Sequence, residues 1–155
     1  MVNYKHYERD KHFMLIALKE AKKAYAKNEV PVGAIVVCKD KVISKAHNLN
    51  IKLNDPTAHA EILALRKASN ILKNYRLTDC ELYTTLEPCP MCAGAMVYAR
   101  IKRLVYATDD PKSGACKSVV NIVNNKRLNH RIEVVSGVCK KEAEHLLKKF
   151  FKNLR

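Results

Sequence analysis

The chain has 155 residues, the size of one ordinary domain, and 48% of them are hydrophobic, so a real core is expected and disorder away from the ends is not. No apolar run approaches the roughly 20 residues that span a bilayer, and the polar, charged start over residues 1–11 does not read as a signal peptide; a cytoplasmic protein with no membrane partner is expected. Lys plus Arg number 29 against 15 Asp plus Glu, a net charge of +14, which suits a polyanionic partner and equally a lysine-rich solvated surface.

Met14, Ala17, Leu18, Ala21, Ala24 and Tyr25 recur at helical spacing with lysines on the opposite face, and residues 28–31 break that helix at Pro31. Residues 32–38 and 42–46 are apolar, β-branched runs joined by Lys39-Asp40-Lys41, the pattern of a hairpin. Residues 48–57 read as a polar loop ending in the helix-start signal Asp55-Pro56-Thr57. A helix follows over 59–72, with Ile62, Leu65 and Ala68 inward, then a strand over 82–86. Pro90 suits the first turn of a helix over 91–100. A strand over 103–108, an irregular stretch with Pro111 and Gly114, and a strand over 132–136 come next. Ala143, Leu146, Leu147, Phe150, Phe151 and Leu154 mark a last amphipathic helix, with Lys140, Lys141, Lys148, Lys149, Lys152 and Arg155 at its ends and outer face. There is no internal repeat, low-complexity segment or linker, so residues 1–155 are expected to form a single domain. Strands alternating with helices predict a three-layer α/β fold.

Six cysteines in a chain of this size and compartment do not call for a disulfide framework. Cys38, Cys80, Cys116 and Cys139 are scattered and read as buried hydrophobes or spare thiols. Cys89 and Cys92 form the only close pair, in Pro88-Cys89-Pro90-Met91-Cys92 at a strand-to-helix junction. His59-Ala60-Glu61 lies upstream at the start of a helix. Two thiols three residues apart at a helix start project to one side, where the helix N-terminus favours their anionic form. His59, Cys89 and Cys92 then supply three ligands to one zinc ion per chain, the number that leaves a catalytic zinc an open position. Glu61 sits close enough to take a proton from a water on that metal. Read alone, a C-x-x-C pair also fits a redox dithiol or half a structural zinc site. The first would not call for H-x-E upstream, and the second lacks a fourth close ligand in this sequence. Together the two segments match the H-x-E…P-C-x-x-C signature of zinc nucleobase deaminases.

Longer segments carry a narrower likeness. Residues 28–34 (Asn-Glu-Val-Pro-Val-Gly-Ala), 55–62, 74–77, 86–96, 110–115 and Asn129-His130-Arg131 resemble the bacterial tRNA adenosine deaminase family, over nearly the whole chain from the first helix to the last. The resemblance implies a cytidine deaminase-like fold with a central mixed five-stranded sheet flanked by helices. It further implies a homodimer that converts adenosine to inosine at the wobble position of a tRNA anticodon loop. It assigns Asn48 and the backbone at Ala60 to the purine, and places Asp110 and Lys112 near the RNA loop. Pro90, Thr108 and Cys116 are the small departures from its pattern. A base in an anticodon loop is already splayed, so presenting its C6 atom costs less than extruding it from a duplex. An Asn side chain that donates and accepts suits a purine edge, although a loop Asn also commonly caps backbone. Two rivals stand beside this reading: a deaminase of a free base or nucleoside such as cytosine or guanine, and a non-catalytic zinc module that binds RNA.

Overall fold

The computed structural model describes residues 4–154; Arg155, counted above with the basic residues of the last helix, lies outside the described residues, as do residues 1–3. Helix α1 (Tyr4–Ala26) buries Phe13, Met14, Ala17, Leu18, Ala21 and Ala24 along one stripe, so it starts ten residues before the first apolar position of the sequence pattern. Strands β1 (Gly33–Cys38) and β2 (Lys41–His47) form the expected hairpin. Its connection is shorter than expected: Cys38 pairs with Lys41, and the turn is Lys39-Asp40 alone. Both residues have positive φ, 51° and 64°, the left-handed pair that matches the twist of a two-residue hairpin. Residues 48–57 are not all loop, because one helical turn, α2 (Asn50–Leu53), lies within them. Four residues are too few to show a periodicity, so that turn is invisible in the sequence.

Helix α3 (Ala60–Leu72), strand β3 (Cys80–Leu86), helix α4 (Pro90–Ala99), strand β4 (Arg103–Thr108), strand β5 (Glu133–Ser136) and helix α5 (Lys140–Asn153) follow within a few residues of the expected bounds. The strands form one mixed sheet in the order β2-β1-β3-β4-β5. β1 runs antiparallel to β2 and β3, whereas β3, β4 and β5 are parallel. Strict alternation divides the central strands between two cores. Ile35, Val37, Tyr83, Val105 and Ala107 face α1 and α5, while Ala34, Val36, Leu82, Leu104 and Tyr106 face α3 and α4. That sandwich is the three-layer α/β architecture expected. No described helix is long and apolar enough to cross a membrane.

A buried ion cluster pins α1 to the edge of the sheet opposite the parallel strands' carboxyl ends. Arg103, at the start of β4, grips Asp10 of α1 with two bonds of 2.7 and 2.6 Å and reaches Glu81 at 3.0 Å. Arg9 meets the other oxygen of Glu81 at 2.6 Å, and the Tyr83 hydroxyl donates to Asp10 at 2.8 Å. Burial works to raise the Asp10 and Glu81 carboxyls, but the arginines hold both below the ordinary carboxylate range. Such depressed carboxylates stabilise the fold fully above their unfolded pKa of about 4, and that stability is lost as pH falls through the lower folded values. Asp10→Ala leaves the Arg103 guanidinium buried without its bidentate partner, and the expected loss is about 3–5 kcal/mol in urea unfolding at neutral pH. A loss below about 1 kcal/mol, the range of a surface pair, would remove this cluster from the account of the fold.

Candidate metal and catalytic centre

Helices α3 and α4 begin beside each other near the carboxyl end of β3, where ligands sit in open α/β sheets. His59 is the N-cap residue of α3 and Cys89 that of α4, and neither side chain makes a capping bond. Both are therefore free to face each other. His59 Nδ1 lies 3.6 Å from Cys89 Sγ and 3.5 Å from Cys92 Sγ, and the three ligand atoms all fall within 4.8 Å of one another. A nitrogen and a sulfur about 2.05 and 2.3 Å from one ion at the tetrahedral angle stand about 3.6 Å apart. The trio fits zinc.

Its electrostatics fit as well. The hydrogen bond with the Cys92 thiol, helped by His59, lowers Cys89 to about 4, so Cys89 is the thiolate. Cys92 is pushed upward by Cys89 and by burial and keeps its proton. His59 is raised, first by Cys89. One negative charge is thus already in place, and a dication would release the second thiol's proton. Glu61, on the first turn of α3, is buried, and burial pushes its carboxyl up. It meets the Cys92 thiol, yet its Oε1 has no hydrogen-bond partner among the described residues. A buried carboxylate oxygen without a partner is costly in a merely structural role, and here it lies beside the ligand trio.

Asn48, only 7% exposed, lies next to the start of α3. Its Oδ1 accepts the Ala60 N–H at 2.7 Å, so it supplies the cap that His59 does not. The same bond commits the Ala60 amide, leaving that N–H no lone role toward a ligand, while the Asn48 NH₂ makes no hydrogen bond among the described residues. Asp55, read as the helix-start signal, instead closes the turn before α3 by accepting from the Thr57 N–H and hydroxyl. Asp110 and Lys112 are not part of the trio. They lie on the segment after β4, with Asp110 accepting from the Lys112 and Ser113 amides and the Ser113 hydroxyl.

Two further carboxylates shape these walls, and the sequence reading missed both. Glu87, 1% exposed, accepts from the amides of Asp110, Cys116, Lys117 and Ser118 and from the Ser118 hydroxyl. Despite burial, these donors lower it to about 2. A Cβ on Gly114 would collide with this carboxylate, which explains a glycine there. Glu29, also buried, accepts from the Ile51 and Lys52 amides and holds α2 in place. The one signal in the sequence was a charged residue set among apolar neighbours just before Pro88-Cys89. Asn129-His130-Arg131 turns out to be a clasp: His130 bonds the Ile101 carbonyl at 2.7 Å, and Arg100 reaches the Asn129 carbonyl.

The segment 109–113 faces α5 across a cavity of about 720 Å³, lined also by Val30, Leu86, Leu147 and Phe151, with Lys148 and Lys152 at its rim. α5 is tied down by Thr108 donating to Glu144. The amphipathic pattern of α5 implies that its apolar stripe docks on the core. Ala143 and Phe150 do so, but Phe151 and Leu154 remain exposed, and Phe151 forms cavity wall instead. Lys149 is turned away from the cavity and lies over the Tyr25 ring.

The chain matches the MafB19-like deaminase family over residues 8–155. The tRNA-specific adenosine deaminase of Aquifex aeolicus (strain VF5) is 49% identical over 144 residues, which are 93% of this chain and 95% of that protein. The tRNA-specific adenosine deaminase of Bacillus subtilis (strain 168) is 45% identical over 146 residues, 94% of this chain and 91% of that one. A solved structure from work on A-to-I editing by tRNA:A34 deaminases at the wobble position of transfer RNA is similar at a TM-score of 0.85 and 45% identity, covering 88% of this chain and 99% of that chain. The family resemblance holds, and so does the mixed five-stranded fold that it implies.

Glu87→Gln keeps the shape but replaces one acceptor oxygen with an NH₂ that faces amide donors. Amide exchange at Asp110 and at 116–118 should speed up strongly, with a stability loss of about 1–3 kcal/mol. Because the Glu87 pKa is lowered to about 2, its contribution is complete above an unfolded value of about 4.3 and vanishes as pH falls toward 2. Unchanged exchange in that segment would show that Glu87 does not hold it.

Proposed function

The chain belongs to the MafB19-like deaminase family, alongside the tRNA-specific adenosine deaminases, and from that premise we propose that it hydrolyses adenosine to inosine at the wobble position of a tRNA anticodon loop. The observation that carries the reading is Glu61: a buried carboxylate with a partnerless oxygen beside a His–Cys–Cys trio. His59, Cys89 and Cys92 would hold one zinc ion, whose chemistry would be to acidify a water enough to make it a nucleophile near neutral pH. Glu61 takes one proton from the attacking water and gives it to ring N1 as C6 is attacked; it then carries the remaining proton of the new C6 hydroxyl to the amine, so that C6=O forms as the C6–N bond breaks and ammonia leaves. Its raised pKa suits a group that must both accept and return protons. Asn48 offers its NH₂ to the purine while its Oδ1 holds the Ala60 amide, so Ala60 acts through Asn48. Asp110 and Lys112, with Lys148 and Lys152 opposite, flank the cavity that receives the loop nucleotides. Residues 1–155 act as a single deaminase domain in the cytoplasm, where the tRNA is.

The test is inosine formation on a transcribed anticodon stem-loop, with free adenosine, guanine and cytosine as competitors. The wild type should act on the stem-loop, with binding that weakens as salt rises through lost phosphate contacts. Glu61→Ala should retain zinc and lose turnover by more than about 10²-fold, whereas Cys89→Ala should lose the zinc. Efficient turnover of free guanine or cytosine with none on the stem-loop would reassign the substrate and leave the chemistry standing. Zinc retained in Cys89→Ala would sink the ligand set.

The proposal includes a homodimer, built on the outer face of α3 and α4. α4 is apolar on nearly every side, a composition that goes with a helix covered all round. Tyr98 on that helix is nonetheless 84% exposed, with exposed Tyr75 nearby and cavities of about 510 and 670 Å³ beside them. Light scattering should give the mass of two 17.6 kDa chains, and Tyr98→Glu should give that of one. A wild type that runs as a monomer at micromolar concentration contradicts the dimer.

A further inference from the structure

His47 ends β2 and is buried between the sheet and α1. Its Nε2 lies 3.0 Å from Lys27 Nζ and its Nδ1 lies 3.2 Å from Glu20 Oε1. An ammonium group has donors and no lone pair, so Nε2 must be the acceptor of that contact. The ring proton then sits on Nδ1 and is donated to the Glu20 carboxylate. Only the neutral Nδ1–H tautomer satisfies both neighbours, since a protonated ring would set an N–H against the Lys27 ammonium. Burial lowers the His47 pKa; Glu20 opposes this, and Lys27 and Lys23 reinforce it. Glu20 is itself held by Lys23 at 2.6 Å.

Close approach of α1 makes this arrangement possible. Gly33 is the strand partner of His47, and a Cβ there would collide with the α1 backbone at Ala17 and Ala21 and with the Glu20 side chain. The helix therefore rests directly on the strand end and brings Glu20 and Lys27 to the imidazole. The residue after His47 is Asn48. Its N–H donates to the Val32 carbonyl, and its Oδ1 holds Ala60, which lies between His59 and Glu61.

We propose that His47 is a positioning residue: locked as the Nδ1–H tautomer between Glu20 and Lys27, it fixes the strand end so that Asn48 keeps its carboxamide oxygen on Ala60 and its NH₂ free for the purine. This rests on the deaminase reading for its consequence, but the tautomer lock stands without it. His47 touches no reacting atom and acts only through Asn48.

Two measurements test it on the zinc-loaded full chain. In ¹⁵N NMR of the imidazole, His47 should show a protonated Nδ1 and a bare Nε2, and should titrate below the ordinary histidine value of about 6.5. Lys27→Met removes the cation facing Nε2 and should raise the midpoint, while Nδ1 stays protonated against Glu20. In kinetics, His47→Phe should raise KM for the stem-loop about tenfold, the size of one lost hydrogen bond, with kcat much less affected and zinc content unchanged. His47→Gln, which can donate to Glu20 and accept from Lys27, should restore most of the loss; a merely space-filling role would favour Phe over Gln. An Nε2–H tautomer in the wild type, or a His47→Phe enzyme with wild-type KM, overturns the proposal. A wild type with no activity on the stem-loop instead overturns the functional reading, and the NMR result then decides the lock alone.

Discussion

Two helices start side by side at one end of this sheet, and a helix start leaves amide donors without intrahelical partners. Ser, Thr, Asp and Asn usually occupy the N-cap because their side chains satisfy one of these donors. Here the two N-cap positions carry His59 and Cys89, which make no capping bond. The donors are dealt with by other means. Asn48 reaches across from the end of β2 to take the first amide of α3, and Pro90 at the start of α4 has no amide hydrogen to satisfy. Freed from capping, the imidazole and the thiolate can converge 3.6 Å apart. The positive ends of both helix dipoles then favour the anionic sulfur that a metal needs. Any change that returned a capping side chain to position 59 or 89 would improve a helix and break up the trio.

From this constraint follows the way the surroundings are held. The segments that bond to the chain next to the trio, residues 48–58 and the stretch after β4, are largely irregular, and such segments carry backbone donors that have no ladder to join. Glu29 gathers two of them on α2, and Glu87 gathers four and a hydroxyl on the segment after β4. Each is a buried carboxylate surrounded by amides rather than by cations, which fixes geometry without placing another positive side chain near the trio. Rigid walls are what a site needs if a base is to be oriented rather than merely admitted.

This division explains what could be read in the sequence. The convergence of His59, Cys89 and Cys92, with Glu61 beside them, was legible because H-x-E and C-x-x-C each lie on a single helix start, where spacing along the chain translates directly into spacing in space. The layers were legible because β1, β3 and β4 are apolar runs covered on both faces. Glu29, Glu87 and the Glu20–His47–Lys27 contacts join residues 20 or more apart, and nothing local in their neighbourhoods announces the partner. Asn48 falls between these cases. Its two readings, purine donor and backbone cap, appeared as alternatives in the sequence; the structure shows the cap, with the oxygen on Ala60, and the NH₂ is the end that the proposed purine contact would use. The misjudged face of α5 has a similar origin, because an amphipathic pattern reports which side is apolar and not whether every apolar residue reaches a core. Phe151 reaches a cavity.

The same inward use of carboxylates bears on the charge. Of the 15 acidic residues, Asp10, Glu20, Glu29, Glu61 and Glu87 are buried, while of the 29 basic residues only Arg103 is, among those described. A buried carboxylate compensated by local amides or an arginine, as at Glu29, Glu87 and Asp10, does little to offset a lysine in solvent. The exposed surface is therefore more basic than the net charge of +14 divided over the whole chain would suggest. Lysine-rich composition alone fitted a soluble surface and a polyanion-binding one equally well. Lys112, Lys148 and Lys152 gather part of that basic surface around one cavity, which is the placement the proposed tRNA substrate calls for.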